Sequence, residues 1–381
     1  MRVLQVVGAR PQFVKLAPVS RALAAAAAEG GTPFEERVLH TGQHYDDDMS
    51  ARFFDELELP HPAVNLGVGS GSHGEQTARM LAGIEKVLLD LQPDIVVVYG
   101  DTNSTLAGAL AAVKLGAPVA HVEAGLRSGN RRMPEEINRI ATDHVCDLLF
   151  APTEAAVANL QREGLATRTQ WVGDVMADAV LHGVVAAREH GATLDRFGLR
   201  GRRFAVATLH RAASTTAYAL PRLLEALEQA ARRFDAMIVP LHPRTRAAIA
   251  RYRGEWRPDP RIVICEPLGH RDLLQLLDAA AMVLTDSGGL QKEAFLLGTP
   301  CVTLRDETEW VESVDAGGNR IAGIGTAAVL SAVDELTSCA PPKQVLAERA
   351  AACYGCGKAA ARIVAALPGA MLPGTDRWGA P

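Results

Sequence analysis

With 381 residues the chain exceeds the size at which a single hydrophobic core stops growing, so two domains are expected. A hydrophobic share of 48% beside 22% charged residues describes an ordinary globular protein, and a formal net charge of −5 without a basic stripe argues against a nucleic-acid partner. No apolar run approaches membrane-spanning length and a strand is predicted from Arg2 onward, which leaves no room for a signal peptide before it, so a cytoplasmic protein without a membrane partner is expected.

Short apolar, β-leaning runs at residues 3–7, 37–40, 95–99, 119–122, 148–151 and 170–172 alternate with helical stretches. A second series follows at 204–208, 237–241, 262–265, 282–285 and 301–304. The alternation predicts an α/β chain of two doubly wound, Rossmann-like domains, each a parallel sheet with helices on both faces. Residues 1–172 are expected to form the first domain and 173–356 the second, with a C-terminal helix in 357–381 returning to the first. Six cysteines do not make a disulfide framework in a chain of this size, and Cys353-Tyr354-Gly355-Cys356 is a lone CxxC with no second pair, so neither a metal nor a redox role is expected.

Ionisable residues collect where such folds bind ligands, just past the carboxyl ends of the strands. Arg10 follows the first strand with Pro11 at a helix start and Lys15 about one turn inside. Gln43-His44, Asp101 and Glu123 follow later strands, and Glu135-Glu136 open a helix after Pro134. In the second half His210-Arg211 and His242 end strands in the same way. Beside them Ser287-Gly288-Gly289 joins a strand to a helix N-terminus, whose unpaired N–H groups and positive dipole end suit a diphosphate. Glu293, one turn on, is placed to accept hydrogen bonds from a ribose. Plainer roles compete: Asp101 and Ser287 as helix caps, Glu135, Glu136 and Glu293 as first-turn acids, His210 and His242 as hydrogen-bonding residues. The two halves are expected to face each other across a cleft, with a nucleotide in the second and carboxylates in the first.

Taken together, Gly8-Ala9-Arg10-Pro11-Gln12 with Lys15, Gly100-Asp101-Thr102, His121-Val122-Glu123-Ala124-Gly125-Leu126-Arg127, Pro134-Glu135-Glu136 with Asn138-Arg139, His210-Arg211 and Asp286-Ser287-Gly288-Gly289 with Glu293 resemble the non-hydrolysing UDP-N-acetylglucosamine 2-epimerases. The resemblance implies a GT-B-like fold and inversion at C2 of a UDP-linked 2-acetamido sugar, without a cofactor, by a homodimer. It implies Asp101, Glu123, Glu135 and His210 as catalytic candidates, and Arg10, Lys15, His210, Ser287, Gly288, Gly289 and Glu293 as UDP contacts; His242 joins the binding set from its strand end. Members that bind a second UDP-sugar do so near residues matching Gln43, His44 and Glu136, but Glu75 stands here where they carry an arginine. Ala9 and Gln12-Phe13 depart from the usual Gly-Thr-Arg-Pro-Glu start and look more like the branch acting on UDP-2,3-diacetamido-glucuronic acid. A GT-B glycosyltransferase and a non-catalytic UDP-sugar sensor are the competing classes. Both need the nucleotide turn, but only an epimerase needs carboxylates around C2.

Overall fold

The computed structural model describes residues 1–28, 33–43, 54, 57, 59–254 and 256–370. The chain divides into two units, Met1–Ala179 together with the chain from Tyr354 onward, and Val180–Cys353.

The first unit is built on strands β1 (Arg2–Val7), β2 (Glu35–His40), β3 (Val64–Asn65), β4 (Ile95–Tyr99), β5 (Val119–Val122), β6 (Leu148–Ala151) and β7 (Thr169–Trp171). All pair in parallel in the order β3-β2-β1-β4-β5-β6-β7. Every residue of β4 is buried, as a parallel strand covered on both faces requires. Alternate residues serve opposite layers: Val3, Val7, Val97 and Tyr99 join one core cluster, Leu4, Val6, Val96 and Val98 the other. The helix Ala359–Ala366 closes the first of these layers through Ala359, Ala360, Ile363 and Val364. Asp178 fixes its start by accepting the Ala359 and Ala360 N–H groups at 3.1 and 2.8 Å, a carboxylate set against a helix N-terminus.

The second unit carries β8 (Phe204–Thr208), β9 (Ala236–Pro240), β10 (Ile262–Cys265), β11 (Met282–Thr285), β12 (Cys301–Thr303) and β13 (Asn319–Ile321), again all parallel, in the order β10-β9-β8-β11-β12-β13. In each sheet the strand order reverses once, between β1 and β4 and between β8 and β11. The crevice past the carboxyl ends of two such strands is where open α/β sheets bind ligands. The edge strands β3 and β13 were not expected from sequence, since Val64-Asn65 and Asn319-Arg320-Ile321 offer no apolar run. No helix among the described residues is long and apolar enough to cross a membrane.

Candidate active site

At the first reversal, β1 leads into the helix Arg10–Ala28, whose backbone opens at Arg10 and which carries Lys15. The helix Asn103–Lys114 after β4 is capped by Thr102 in a reciprocal box with Thr105, so Asp101 is not its cap and its carboxylate remains available. Gly100 has φ +63°, a conformation that favours glycine, and a Cβ there would lie 3.1 Å from Lys15 Nζ and 3.5 Å from Glu123 Oε1. Glu123, just past β5, also has a positive φ of 74°, a conformation costing a non-glycine residue about 1–3 kcal/mol and concentrated at functional sites.

Lys15 donates to Glu123 Oε1 at 2.5 Å, with the two side chains only 11% and 9% exposed. Burial by itself would drive the proton off Lys15. The charges of Glu123 and Asp101, the hydrogen bond to Glu123 and the charge of Asp174 outweigh it and hold the pKa above the ordinary lysine value. Arg139 donates to Asp101 Oδ2 at 2.6 Å, and Asn138 Nδ2 to the Asp101 carbonyl at 2.9 Å. Asp101 and Glu123 are therefore partly buried carboxylates at neighbouring strand ends, each matched to a cation.

Other first-unit candidates lie differently. Glu135 is exposed in the first turn of the helix Pro134–Val145. Glu136 is buried and fully engaged, accepting the Ser128 and Gly129 N–H groups at 3.0 and 2.9 Å and Arg139 Nη1 at 2.8 Å. Burial raises its pKa, but these bonds from the Ser128-Gly129 backbone and Arg139 prevail and lower it. Gln43 Oε1 accepts the Ser104 N–H and hydroxyl at 3.1 and 2.7 Å. His44, the third residue of the proposed second UDP-sugar site, lies outside the described residues. Glu75 pairs with Arg79 on its own helix.

At the second reversal, Ser287 caps the helix Gly288–Leu296, which opens directly at the two glycines. Asp286 is completely buried and accepts the His210 N–H at 3.0 Å and the Arg211 N–H at 2.9 Å, while His210 Nδ1 lies 3.3 Å from its other oxygen. The buried aspartate thus binds the end of β8 to the end of β11. Glu309 accepts from Arg305 at 2.8 Å and from Arg211 at 3.2 Å. A Cβ on Gly288 would lie 3.0 Å from its Oε1, so a larger residue there would press on the Glu309 carboxylate. Glu293 is 6% exposed on the same helix. Its Oε2 has no hydrogen-bond partner among the described residues, and His270 Nε2, likewise without one, stands 3.8 Å from its Oε1. A buried carboxylate oxygen left unpaired is costly, and a ligand hydroxyl would satisfy it. His242 is exposed and caps the helix Pro243–Arg253, its Nδ1 accepting the Arg244 N–H at 3.3 Å.

Residues 26–368 match the model of the UDP-N-acetylglucosamine 2-epimerase family. The chain belongs to that family. It is 44% identical over 374 residues to a UDP-N-acetylglucosamine 2-epimerase homolog of Methanococcus maripaludis, covering 96% of this chain and 99% of the relative. It is 47% identical over 327 residues to the UDP-2,3-diacetamido-2,3-dideoxy-D-glucuronate 2-epimerase of Pseudomonas aeruginosa, covering 85% and 88%. Among solved structures it is similar to the Methanocaldococcus jannaschii UDP-GlcNAc 2-epimerase in complex with UDP-GlcNAc and UDP, at 41% identity and a TM-score of 0.83 over 97% of this chain and 99% of that one. The fold is the GT-B-like one of two parallel α/β units.

Gln12, at the end of the Gly8-Ala9-Arg10-Pro11-Gln12 run, has a clear local task. Its Oε1 accepts the Gly8 and Ala9 N–H groups at 2.8 and 3.1 Å, while its Nε2 donates to the Tyr99 carbonyl at 2.9 Å and to Thr105 at 3.1 Å. An ionised glutamate could not make the last two bonds. Arg139, Arg211 and Asp286 stood in the motif runs of the sequence without a role of their own, and His270, Arg305 and Glu309 were not singled out there. The contacts of His270 with Glu293 and of Glu309 with Arg211 join residues distant in sequence, which no local pattern announces.

Proposed function

We propose that the protein epimerises C2 of UDP-N-acetylglucosamine, interconverting it with the manno isomer, by eliminating UDP and adding it back. The C2 proton of the intact sugar is too weakly acidic to be taken directly. Breaking the C1–O bond builds positive charge at C1, a carboxylate takes the C2 proton, and a glycal with bound UDP results. Protonation of C2 from the other face and return of UDP to C1 complete the inversion.

The observation that carries this reading is the Asp101–Lys15–Glu123 cluster at the strand reversal of the first unit. It offers two carboxylates, as proton transfer on two faces requires, and a cation to share with a departing diphosphate. A diphosphate that draws Lys15 away from Glu123 leaves the carboxylate a stronger base at the moment it is needed. The Ser287-Gly288-Gly289 turn supports the diphosphate role of the second unit, with Arg10 as a further candidate contact, Glu293 that of a ribose acceptor, and His210 that of a nearby donor. Glu135 is a third acid/base candidate, and its exposed place gives it less support than the other two. His242, as a helix cap, has the least support among the binding candidates.

Incubation with UDP-N-acetylglucosamine in deuterated water, without an acceptor, NAD or added metal, tests the reading. Deuterium must enter C2 of the gluco/manno mixture, and a chelator must not stop it. Epimer formed with full retention of protium excludes elimination, and neither label nor epimer with UDP bound points to a transferase or sensor.

The similarity to the Pseudomonas aeruginosa enzyme supports a second reading, in which the substrate is UDP-2,3-diacetamido-2,3-dideoxy-glucuronate and the chemistry is unchanged. Side-by-side assay of both sugars decides between them. We further propose a cytoplasmic homodimer serving polysaccharide biosynthesis; light scattering of the purified protein checks the assembly and fractionation of the cells its location.

A further inference from the structure

Behind the two carboxylates lies a buried ionic group that the proposed mechanism does not use. His121, in the middle of β5, is completely buried, as is Asp143 on the helix Pro134–Val145. The His121 ring reaches two acceptors, the Gly100 carbonyl from Nε2 at 2.7 Å and Asp143 Oδ1 from Nδ1 at 2.7 Å. A carbonyl oxygen can only accept, so Nε2 carries a hydrogen. The other Asp143 oxygen takes the Gly125 N–H at 3.0 Å and Arg127 Nη1 at 2.8 Å. Burial works against an ionised Asp143, but His121 and Arg127 outweigh it and hold its pKa below the ordinary aspartate value. The ring therefore donates from Nε2 to the Gly100 carbonyl and meets Asp143 through Nδ1, so it is clamped at both ends.

What it clamps is specific. Gly100 immediately precedes Asp101, and Gly125 lies two residues after Glu123, whose left-handed backbone needs support from its surroundings. Asp143 reaches both turns, one directly through the Gly125 N–H and the other through the His121 ring. The same helix sends Asn138 to the Asp101 carbonyl and Arg139 to the Asp101 carboxylate. One helix thus sets both candidate carboxylates by separate bonds.

We propose, resting on the epimerase reading above, that the His121–Asp143 pair is a positioning device, which fixes the Gly100-Asp101 turn against the Glu123-Ala124-Gly125 turn so that both carboxylates keep their stations about the sugar ring. The pair touches neither sugar nor nucleotide. Its loss is felt in the rate of the chemical step and not in the hold on UDP, which belongs to other residues.

Two variants and one spectrum test it. His121→Phe keeps the ring volume and removes both ring nitrogens, and His121→Gln can return a donor to the Gly100 carbonyl. A misplacement of about 1 Å costs on the order of 100-fold in rate. The Phe variant is therefore expected to lose roughly that much kcat, with KM and the calorimetric UDP Kd within about twofold of wild type, and the Gln variant to recover about tenfold of the loss. In nitrogen NMR of histidine-labelled wild-type protein, His121 Nε2 must bear hydrogen. Wild-type kcat in the Phe variant, a Gln variant no faster than Phe, UDP affinity falling in step with kcat, or a ring with a bare Nε2 would each overturn the proposal. Should the Phe variant fail to fold by circular dichroism, the Gln variant's kcat against its UDP affinity decides, with a rate at wild-type level counting against the pair. The nitrogen spectrum and UDP affinity need no turnover, so a wild-type protein that failed to epimerise would discredit the activity while these signals still judged the pair.

Discussion

The two units share one architecture, a parallel sheet whose strand order reverses once, yet they furnish that reversal in opposite ways. In the first unit it is crowded with side-chain ion pairs: Lys15 with Glu123, Arg139 with Asp101 and Glu136, Arg127 with Asp143. In the second a glycine turn opens a helix and Asp286 is spent on the N–H groups of His210 and Arg211, with Glu309 paired to Arg305 and Arg211 beside the turn. Backbone N–H groups are fixed in charge and direction, which suits holding a diphosphate that arrives and leaves unchanged. Proton transfer needs groups that change charge, and paired carboxylates can be released from their cations. Similar sheets can therefore divide binding from chemistry according to whether side chains or backbone face the ligand.

The sharpest way to break this division is Glu123→Gln. It is expected to lower turnover by about 10²–10⁴-fold, the usual worth of a general acid or base, with UDP affinity within about twofold of wild type. Parallel loss of UDP binding, measured by calorimetry, would show that the division is wrong. Ile363→Ala probes the same separation through stability. Its side chain is completely buried in the first unit's core, so the substitution is expected to destabilise that unit by about 2–5 kcal/mol in a denaturant titration. Under conditions where the variant stays folded, UDP binding should be unchanged.

Glu293→Ala is the converse test. Removing a buried acceptor is expected to weaken UDP binding by roughly 10- to 100-fold, corresponding to about 1.5–3 kcal/mol for hydrogen bonds to a charged group, with little change of kcat at saturating substrate. Unchanged affinity would take Glu293 out of the ribose role. The smallest effect concerns acid stability. Glu136 is held below its ordinary 4.5, so it contributes stability that is fully present above pH 4.5 and is lost as the pH falls through its lowered value. Glu136→Gln should lower the melting temperature at neutral pH and flatten its decline just below pH 4.5. A decline as steep as that of wild type would remove Glu136 from this account.

Much of the molecule was legible in local pattern. Alternating apolar runs and helical spacing identified eleven of the strands, six with the observed ends and five with ends shifted by one or two residues, and the glycine turn at 287–289 announced a helix N-terminus because its chemistry lies within four residues. The motif residues also pointed to the family, as the match over residues 26–368 bears out. Sequence could not decide whether Asp101 or Thr102 capped the next helix. That depended on the φ and ψ of Thr102 and its exchange of hydrogen bonds with Thr105. Nor could it say that Glu136 is consumed by the Ser128-Gly129 loop while the adjacent Glu135 faces solvent, since one residue turns a helical side chain by about 100°.

The strand order was beyond any local signal. Placing β4 beside β1 brings Lys15 to Glu123 across 108 residues, and the same arrangement sets Arg139 on Asp101 and His121 under the Gly100 carbonyl. The sequence by itself determined which segments become strands and helices and which polar residues stand at their ends, because these follow from periodicity, caps and turns within a few residues. Only the tertiary structure decided which of those residues meet and in what charge environment, because crossovers carry the chain between distant strands and burial then makes each pairing matter.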